Sequence, residues 1–251
     1  MTIADRLLEI VERGERAVLL TVVEGPSPGT KALVLESGET LGDAALAARA
    51  SELAAERRNR LVELEDAKVF VEVFGPPPRL LVFGAVDVAE HLCAAAKALG
   101  WYTVVADARP GLATRERLPT PHELVVAWPE EALERVRPDG DTAVVVLTHE
   151  ERFDVPALVG TLETSAFYVG ALGSRRAQER RRERLREAGV GEEQLERIAG
   201  PCGLDLGAET PAETALSILA EAVARRHRRS GGPLAESARR IHADAEEAAL
   251  R

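Results

Sequence analysis

The sequence has few cysteines and no long apolar run. Its 251 residues include two cysteines, Cys93 and Cys202, in unrelated surroundings. Two isolated cysteines argue against a disulfide framework, and no Cys-x-x-Cys pair is present to bind a metal. We expect Cys202 to be buried as a small hydrophobic residue. No run approaches the roughly 20 apolar residues that a membrane span needs, so we expect no membrane association.

The chain also lacks an excess of basic residues. Its 42 acidic and 32 basic residues give a formal net charge of −10. A surface of this sign repels a phosphate backbone, which argues against non-specific nucleic-acid binding. The N-terminus carries an acid early, Asp5, and has no small-residue cleavage site, so it does not resemble a signal peptide. We therefore expect a cytoplasmic protein.

A proline-rich segment separates two regions of different character. Residues 75–78 read G-P-P-P, and three consecutive prolines cannot continue a helix or the interior of a sheet. We predict a smaller α+β N-terminal domain over residues 1–75, a Rossmann-like domain over residues 76–230, and a C-terminal tail over residues 231–251.

Local patterns predict the secondary structure of both domains. In the first we predict, in order, a helix, a strand, a hairpin, a helix and a strand over residues 2–13, 17–23, 31–41, 44–64 and 67–74. In the second we predict strands at residues 80–83, 101–106, 124–127, 143–148 and 166–169, with helices between most of them. We predict two later helices at residues 174–188 and 210–226. The alternation indicates an α/β fold with a mainly parallel sheet that is covered on both faces.

The first strand of the second domain is followed by a partial nucleotide-binding fingerprint. Residues 79–89 read R-L-L-V-F-G-A-V-D-V-A, which predicts a strand, a glycine turn and a helix. The turn consists of Gly84, Ala85, Val86 and Asp87. Val86 replaces the glycine that lets a pyrophosphate approach the backbone, and Asp87 would cap the helix but repel an anion. Two interpretations fit this sequence: a modified ligand site, or an empty turn that is closed by its own side chains.

Two polar segments follow later strands at the same edge of the predicted sheet. In D-A-R-P, Asp107 lies about 20 residues past the turn, where a carboxylate accepts hydrogen bonds from ribose. Arg109 in that segment can hold a phosphate, although a loop ion pair between the two side chains fits as well. His149, after the strand at residues 143–148, can donate, accept or titrate near neutral pH. A structural, hydrogen-bonded histidine is the alternative.

Two glycine-containing loops complete the predicted ligand site. In Y-V-G-A-L-G-S-R-R, Gly170 and Gly173 permit unusual backbone angles, and Ser174 can cap the helix that follows. Arg175 can contact an anion bound over the N–H groups of that helix. In P-C-G-L-D-L-G-A-E-T-P, two acids that include Glu209 precede a capped helix, and we expect this loop to reach the same crevice.

Together these segments resemble the XdhC/CoxI family, the accessory factors of xanthine dehydrogenase and related molybdenum hydroxylases. The resemblance runs from residue 18 to about residue 225. It is most specific in L-L-V-F-G-A, D-A-R-P, V-V-V-L-T-H, Y-V-G-A-L-G-S-R-R and G-L-D-L-G-A-E-T-P. It implies a small N-terminal domain, a Rossmann-type C-terminal domain and frequent dimerisation. It also implies binding of the molybdenum cofactor, its maintenance for sulfuration and its delivery to the hydroxylase.

The chain departs from the family pattern in three places. The family's G-A-G-H-V-A turn reads G-A-V-D-V-A here, and T-L-G-D-A-A-L stands where the family has G-G-C-V-E, without its cysteine. A second histidine often follows the position of His149 in the family, whereas this chain reads E-E-R-F-D. All three changes fall on expected ligand-contacting positions, which indicates a divergent member with altered or lost ligand binding.

The resemblance and the residues lead to one main hypothesis and two alternatives. The main hypothesis is a cytoplasmic, homodimeric accessory protein that serves a molybdenum hydroxylase subunit by binding and contact rather than turnover. A pterin-type molybdenum cofactor would lie near Gly84, Asp107, His149 and residues 170–175, with no catalytic residue and no metal ligand assigned. The alternatives are an NAD(P)-dependent oxidoreductase and a paralogue that binds no small molecule.

Overall fold

The chain folds into two compact units. The computed structural model describes residues 2–53 and 59–237. One unit is Pro77–Gly231, and the other combines the chain up to Pro76 with the segment that starts at Gly232. In that segment Leu234–Glu236 form one 3-10 turn, and residues 238–251 of the predicted tail lie outside the described residues. No helix within the described ranges is long and apolar enough to cross a membrane.

The smaller unit is an antiparallel sheet with helices on both faces. Its elements are α1 (Ile3–Arg13), β1 (Ala17–Glu24), β2 (Lys31–Leu35), β3 (Thr40–Gly42), α2 (Ala44–Ala47), α3 (Ala50–Leu53), β4 (Arg60–Glu63) and β5 (Lys68–Phe74). The strand order is β3-β2-β1-β5-β4. Because successive side chains of a strand point to opposite faces, Leu19 packs with Ile10 of α1 and Leu20 packs with Leu53 of α3.

The long helix predicted for residues 44–64 is wrong. Two short helices, α2 and α3, occupy its first part, and its last part is strand β4, which pairs with β5. Residues 54–58 lie outside the described part. The composition of this stretch favours a helix locally, but pairing with β5 buries Val62 to 2% exposure opposite Val69. This long-range pairing overrides the local preference.

The larger unit alternates strands and helices. Its elements are β6 (Arg79–Phe83), α4 (Asp87–Ala98), β7 (Tyr102–Ala106), β8 (Glu123–Val125), α5 (Pro129–Val136), β9 (Thr142–Val146), α6 (Glu151–Leu162), β10 (Tyr168–Ala171), α7 (Arg175–Glu187), α8 (Glu192–Glu196), β11 (Ile198–Ala199) and α9 (Pro211–Arg226). The strand order is β11-β10-β9-β6-β7-β8, and neighbouring strands pair in parallel. The prediction of an α/β fold with a parallel sheet is therefore confirmed.

Both faces of the parallel sheet are covered. On one face, Leu92 of α4 and Ile218 of α9 pack against Val82 and Val105 of the sheet. On the other face, residues of α5 to α8, such as Leu158, pack against alternate strand residues. The central strands β6 and β9 are buried except at Arg79, which is why they read as nearly continuous apolar runs in the sequence.

Candidate ligand site at the carboxyl edge of the parallel sheet

The strand order reverses between β6 and β9, which lie side by side in the middle of the sheet. From β6 the chain moves to β7 and β8 on one side, and from β9 to β10 and β11 on the other. In open parallel sheets, ligands bind outside the carboxyl ends of the strands at such a reversal. The predicted turn at Gly84 follows β6, and the predicted His149 follows β9. The fold therefore brings these two predicted segments to one crevice.

Gly84 is required by the close approach of these two segments. Its φ is +115°, and a Cβ at this position would lie 2.7 Å from Cγ2 of Thr148. Its N–H donates to the carbonyl oxygen of Ala106, which ties the turn to the end of β7. Any larger residue would have to push the β9 loop away while adopting a backbone conformation that side chains disfavour.

The two residues that depart from the fingerprint lie on the side of α4. Val86 occupies the N-cap position without a side-chain hydrogen bond, and it is half-buried against the apolar core beneath α4. The prediction that Asp87 caps the helix is wrong, because Asp87 is the first residue of α4 itself. Its side chain is 82% exposed and lies 3.8 Å from the guanidinium of Arg117. The start of α4 consequently carries no side-chain cap.

Asp107 holds the turn and the next loop together. Its carboxylate is 1% exposed and accepts the N–H of Ala85 at 2.8 Å and the N–H of Arg109 at 2.9 Å. It also accepts Nε and Nη2 of Arg109 at 2.9 and 2.7 Å. Burial alone would raise the pKa of this carboxyl, but these hydrogen bonds outweigh it and lower the pKa below its ordinary value.

Those four hydrogen bonds leave Asp107 little capacity for a ligand. An ionised carboxylate has about four acceptor positions on its two oxygens, and here each oxygen already accepts two hydrogen bonds from the protein. Of the two interpretations made from the sequence, the geometry matches the loop ion pair. Arg109 extends that pair outward, because its Nη1 donates to Oε1 of Glu150 at 2.9 Å.

The predicted glycine loop after β10 begins later than expected. Gly170 lies inside β10, where a Cβ would lie 2.8 Å from the ring of Tyr168, so this glycine makes room for an aromatic side chain. Gly173, with φ +137°, forms the turn that follows. Ser174 then caps α7 by accepting the N–H of Ala177 at 3.2 Å. Arg175 is exposed at the first position of the helix.

The remaining predicted residues lie on exposed loops. His149 is exposed three residues after the end of β9, next to the buried Thr148. Glu209 is exposed at the end of the loop before α9, and its N–H donates to Oε2 of Glu213 at 3.0 Å. That loop starts at the crevice edge, since the N–H of Cys202 donates to the carbonyl oxygen of Ala171 at the end of β10.

Neither cysteine offers a thiolate to a ligand. Cys93 is 0% exposed, Cys202 is 9% exposed, and both are free of disulfides. Burial raises the pKa of each thiol to about 12, so both are protonated near neutral pH. Among the residues that the structure describes, no group of three or more His, Cys, Asp or Glu side chains is arranged to hold a metal ion.

Comparison with known proteins identifies the larger unit. The XdhC Rossmann domain family matches residues 80–222, which is more than half of the chain. The chain belongs to the XdhC family. It is 31% identical over 164 residues to a probable xanthine dehydrogenase subunit of Bacillus subtilis, covering 65% of this chain and 48% of that protein. It is 30% identical over 148 residues to the molybdenum cofactor insertion chaperone PaoD of Escherichia coli, covering 59% and 40%.

Two further proteins are similar to this XdhC-family chain. The uncharacterized protein YqeB of Escherichia coli is 36% identical over 168 residues, covering 65% of this chain and 30% of that protein. The crystal structure of a xanthine dehydrogenase from Bacillus halodurans has a TM-score of 0.67 at 25% identity, covering 88% of this chain and 65% of that chain. The XdhC-family chain thus spans less than half of the length of these three curated relatives.

The floor of the XdhC crevice contains a buried polar network that the sequence did not reveal. Thr148 donates from its hydroxyl to Asp154, which pairs with Nη2 of Arg181 at 2.8 Å. Arg181 also donates to Oε1 of Gln178 at 2.6 Å, and Gln178 donates to the carbonyl oxygen of Ala171 at 2.9 Å. The network joins the ends of β9 and β10 to α6 and α7, and so fixes the loops that carry His149 and Ser174.

Beside this network, the XdhC domain has a small pocket over the ends of β7, β8 and β9. It has a volume of about 80 Å³ and is lined by Ala108, Arg109, Trp128, Thr148, Glu150, Arg152 and Phe153. Only Arg109 was predicted as a ligand-binding residue. Trp128 stands just before Pro129 at the start of α5, and a tryptophan at the end of a parallel strand was the signal that could have marked this pocket.

Proposed function

We propose that this protein is an accessory factor of a molybdenum hydroxylase, which binds the molybdenum cofactor and assists its sulfuration or insertion. The name of one relative describes a molybdenum cofactor insertion chaperone, and that of another a xanthine dehydrogenase subunit. The matched region contains the whole parallel sheet except the first residue of β6. The part of the chain with the crevice is therefore the part that matches the XdhC Rossmann domain family.

The geometry of Asp107 carries this proposal against the oxidoreductase alternative. A dinucleotide enzyme needs the carboxylate after its second strand for the ribose hydroxyls. Here that carboxylate is 1% exposed and saturated by Ala85 and Arg109. The Asp107 carboxylate, which would bind the ribose of NAD, instead holds the loops of the crevice together. A ligand other than NAD fits this arrangement better.

The residues around the crevice fit the anionic end of a molybdenum cofactor. This cofactor is a pterin that carries a phosphate and a metal bound through two sulfur atoms, and it supplies the redox centre of the hydroxylase. A phosphate is favoured at the start of α7, which has Arg175 beside it and no acid in its first turn, over the start of α4, where Asp87 and Glu90 repel an anion. His149 at the exposed loop between them offers a further hydrogen-bonding group.

The metal end of the cofactor finds no thiolate in the described part of this chain. Cys93 and Cys202 are buried and protonated. The protein would therefore hold the cofactor by its pterin and phosphate and leave the metal sulfur chemistry to its partners. We propose that it acts in the cytoplasm as a homodimer, through binding and contact with a hydroxylase subunit, with residues 1–75 and 76–230 as separate domains.

Gel filtration tests this function. The full chain is mixed with molybdenum cofactor without oxygen, and molybdenum and pterin are measured in the protein peak. We expect both to elute with the protein, and we expect Arg175→Gln to retain several-fold less. Arg180→Gln is the matched control, since Arg180 is exposed on the same helix but further from its start. Absence of cofactor from the peak, with no hydroxylase subunit captured by the tagged protein, would refute the proposal.

A further inference from the structure

Trp128 forms an exposed aromatic surface at the mouth of the small pocket. Trp128 is 49% exposed, whereas Trp101, the other tryptophan, is 4% exposed. The ring of Trp128 lies 5.9 Å from that of Phe153, centroid to centroid, and Phe153 is itself buried against Phe83. The tryptophan thus rests on a fixed aromatic base, and the exposed guanidinium of Arg152 lies 5.9 Å from the centre of its ring. Such a ring is suited to stacking on a flat ligand.

Glu150 lies beside this ring as a hydrogen-bond acceptor held in place. Its Oε1 accepts Nη1 of Arg109 at 2.9 Å, and its Oε2 accepts Nε and Nη2 of Arg152 at 3.4 Å each. Its side chain is 44% exposed, so it differs from the enclosed carboxylate of Asp107. It precedes α6 without capping it. Three of its roughly four acceptor positions are thus occupied, and Oε2 becomes free for a ligand donor when Arg152, which is 77% exposed and lies at 3.4 Å, moves away.

We propose that Trp128 and Glu150 together recognise the 2-amino-4-oxopyrimidine edge that pterins and guanine share. That edge presents an amino group and a ring N–H side by side, and both are donors that match the two oxygens of a carboxylate. Adenine and 2,4-dioxo rings lack this pair of donors. The inference rests on the proposed function, because it assigns the pterin of the cofactor to this pocket and its phosphate to the start of α7.

The size of the pocket agrees with recognition of an edge. The pocket has a volume of about 80 Å³, and Trp128 at its mouth is 49% exposed, so a ring can place one edge in the pocket. The rest of the ring would cover Trp128. Arg152, whose guanidinium lies 5.9 Å from the centre of that ring, is 77% exposed and can move over the outer surface of the ligand.

Tryptophan fluorescence and equilibrium dialysis with 6-hydroxymethylpterin test this assignment on the full chain. In Trp101→Phe, Trp128 remains the only tryptophan, and we expect saturable quenching by the pterin. Glu150→Gln should weaken binding at least tenfold, because its amide would point N–H groups at ligand donors. Glu151→Gln is the matched control, since Glu151 is the next residue, 55% exposed and paired with Arg184. Thermal unfolding of each variant checks that it is folded.

Related ligands show which ring edge is recognised and whether that edge belongs to a pterin or to guanine. 6-Hydroxymethyllumazine, which has an oxygen in place of the 2-amino group, should bind at least tenfold more weakly than the pterin. Binding of both ligands with equal affinity would overturn the proposal, as would unchanged pterin binding in Glu150→Gln. Guanosine monophosphate distinguishes the sources: tighter binding of the pterin assigns the pocket to a pterin, and tighter binding of the nucleotide assigns the same edge recognition to guanine.

Failure of this inference can be separated from failure of the proposed function. If the whole cofactor elutes equally with the wild type, Glu150→Gln and Trp128→Leu, the pocket assignment is wrong and the accessory function stands. If the pterin binds through Glu150 but no molybdenum is retained, the accessory function is wrong and the pocket assignment stands.

Discussion

Replacement of Asp107 by asparagine is expected to destabilise the parallel-sheet unit strongly. An asparagine keeps one carbonyl oxygen for two of the four donors, and its amide then faces the other two across a site that is 1% exposed. Loss of a charged hydrogen-bond partner inside a protein costs about 1.5–3 kcal/mol per bond. Because the side chain of Arg109 is 42% exposed, water screens part of the ion pair. We therefore expect a loss of about 2–4 kcal/mol.

The loss should depend on pH in a defined direction. The pKa of Asp107 is lower in the folded protein than in the unfolded chain. Its contribution to stability is therefore complete above the unfolded pKa of about 3.9 and disappears as the pH falls through the folded pKa. The difference in unfolding free energy between the wild type and Asp107→Asn should be constant above about pH 5 and should shrink below pH 4.

Urea unfolding at several pH values and thermal unfolding measure this effect. A loss of 2–4 kcal/mol corresponds to a fall in Tm of roughly 4–16 °C. Asp87→Asn is the control, because it removes the same charge from the adjacent turn at a side chain that is 82% exposed, and it should change stability by less than about 0.5 kcal/mol. Equal stability of the two variants, or a difference that does not change with pH, would refute the role of Asp107 as the clamp of the turn.

Three other outcomes follow from the geometry of the crevice and its surroundings. NADH should cause no thermal shift, since the carboxylate at the end of β7 is saturated; a saturable shift would contradict this. Gly84→Ala should lose about 2–3 kcal/mol in urea unfolding, because its Cβ meets the β9 loop at 2.7 Å, whereas Gly100→Ala, with open space around it, should lose about 1 kcal/mol. Cys93 and Cys202 should react with a thiol reagent at pH 8 only after unfolding, because burial raises their pKa to about 12; rapid reaction of the folded protein would show that they are accessible.

Most of the parallel-sheet unit could be predicted because its strands are buried on both faces. After their first residues, Arg79 and Thr142, β6 and β9 are apolar runs, and a short apolar run followed by a glycine and a helix pattern has few other interpretations. The predicted helix at residues 44–64 failed for the opposite reason. Its last part, β4, is a strand because it pairs with β5, and the local composition does not predict that pairing.

The candidate site was predictable in position and not in chemistry. The order of strands and glycines indicated that Gly84 and His149 would follow neighbouring strands, and they do. The sequence left open whether Asp107 serves a ribose or an ion pair, since the choice depends on where Arg109 and the N–H of Ala85 point. Trp128 was overlooked because its partners, Phe153 and Arg152, lie in α6, which follows a different strand.

The family, the α/β class and the edge of the sheet at which we expect a ligand follow from the sequence alone. These properties depend on apolar periodicity and on short motifs, which are local. Which polar groups remain open to a ligand was settled by the folded arrangement. Hydrogen-bond capacity is limited, and Asp107 commits its capacity to the turn while Glu150 keeps part of its own toward a pocket. That difference depends on donors brought together from separate strands, so it exists only in the folded chain.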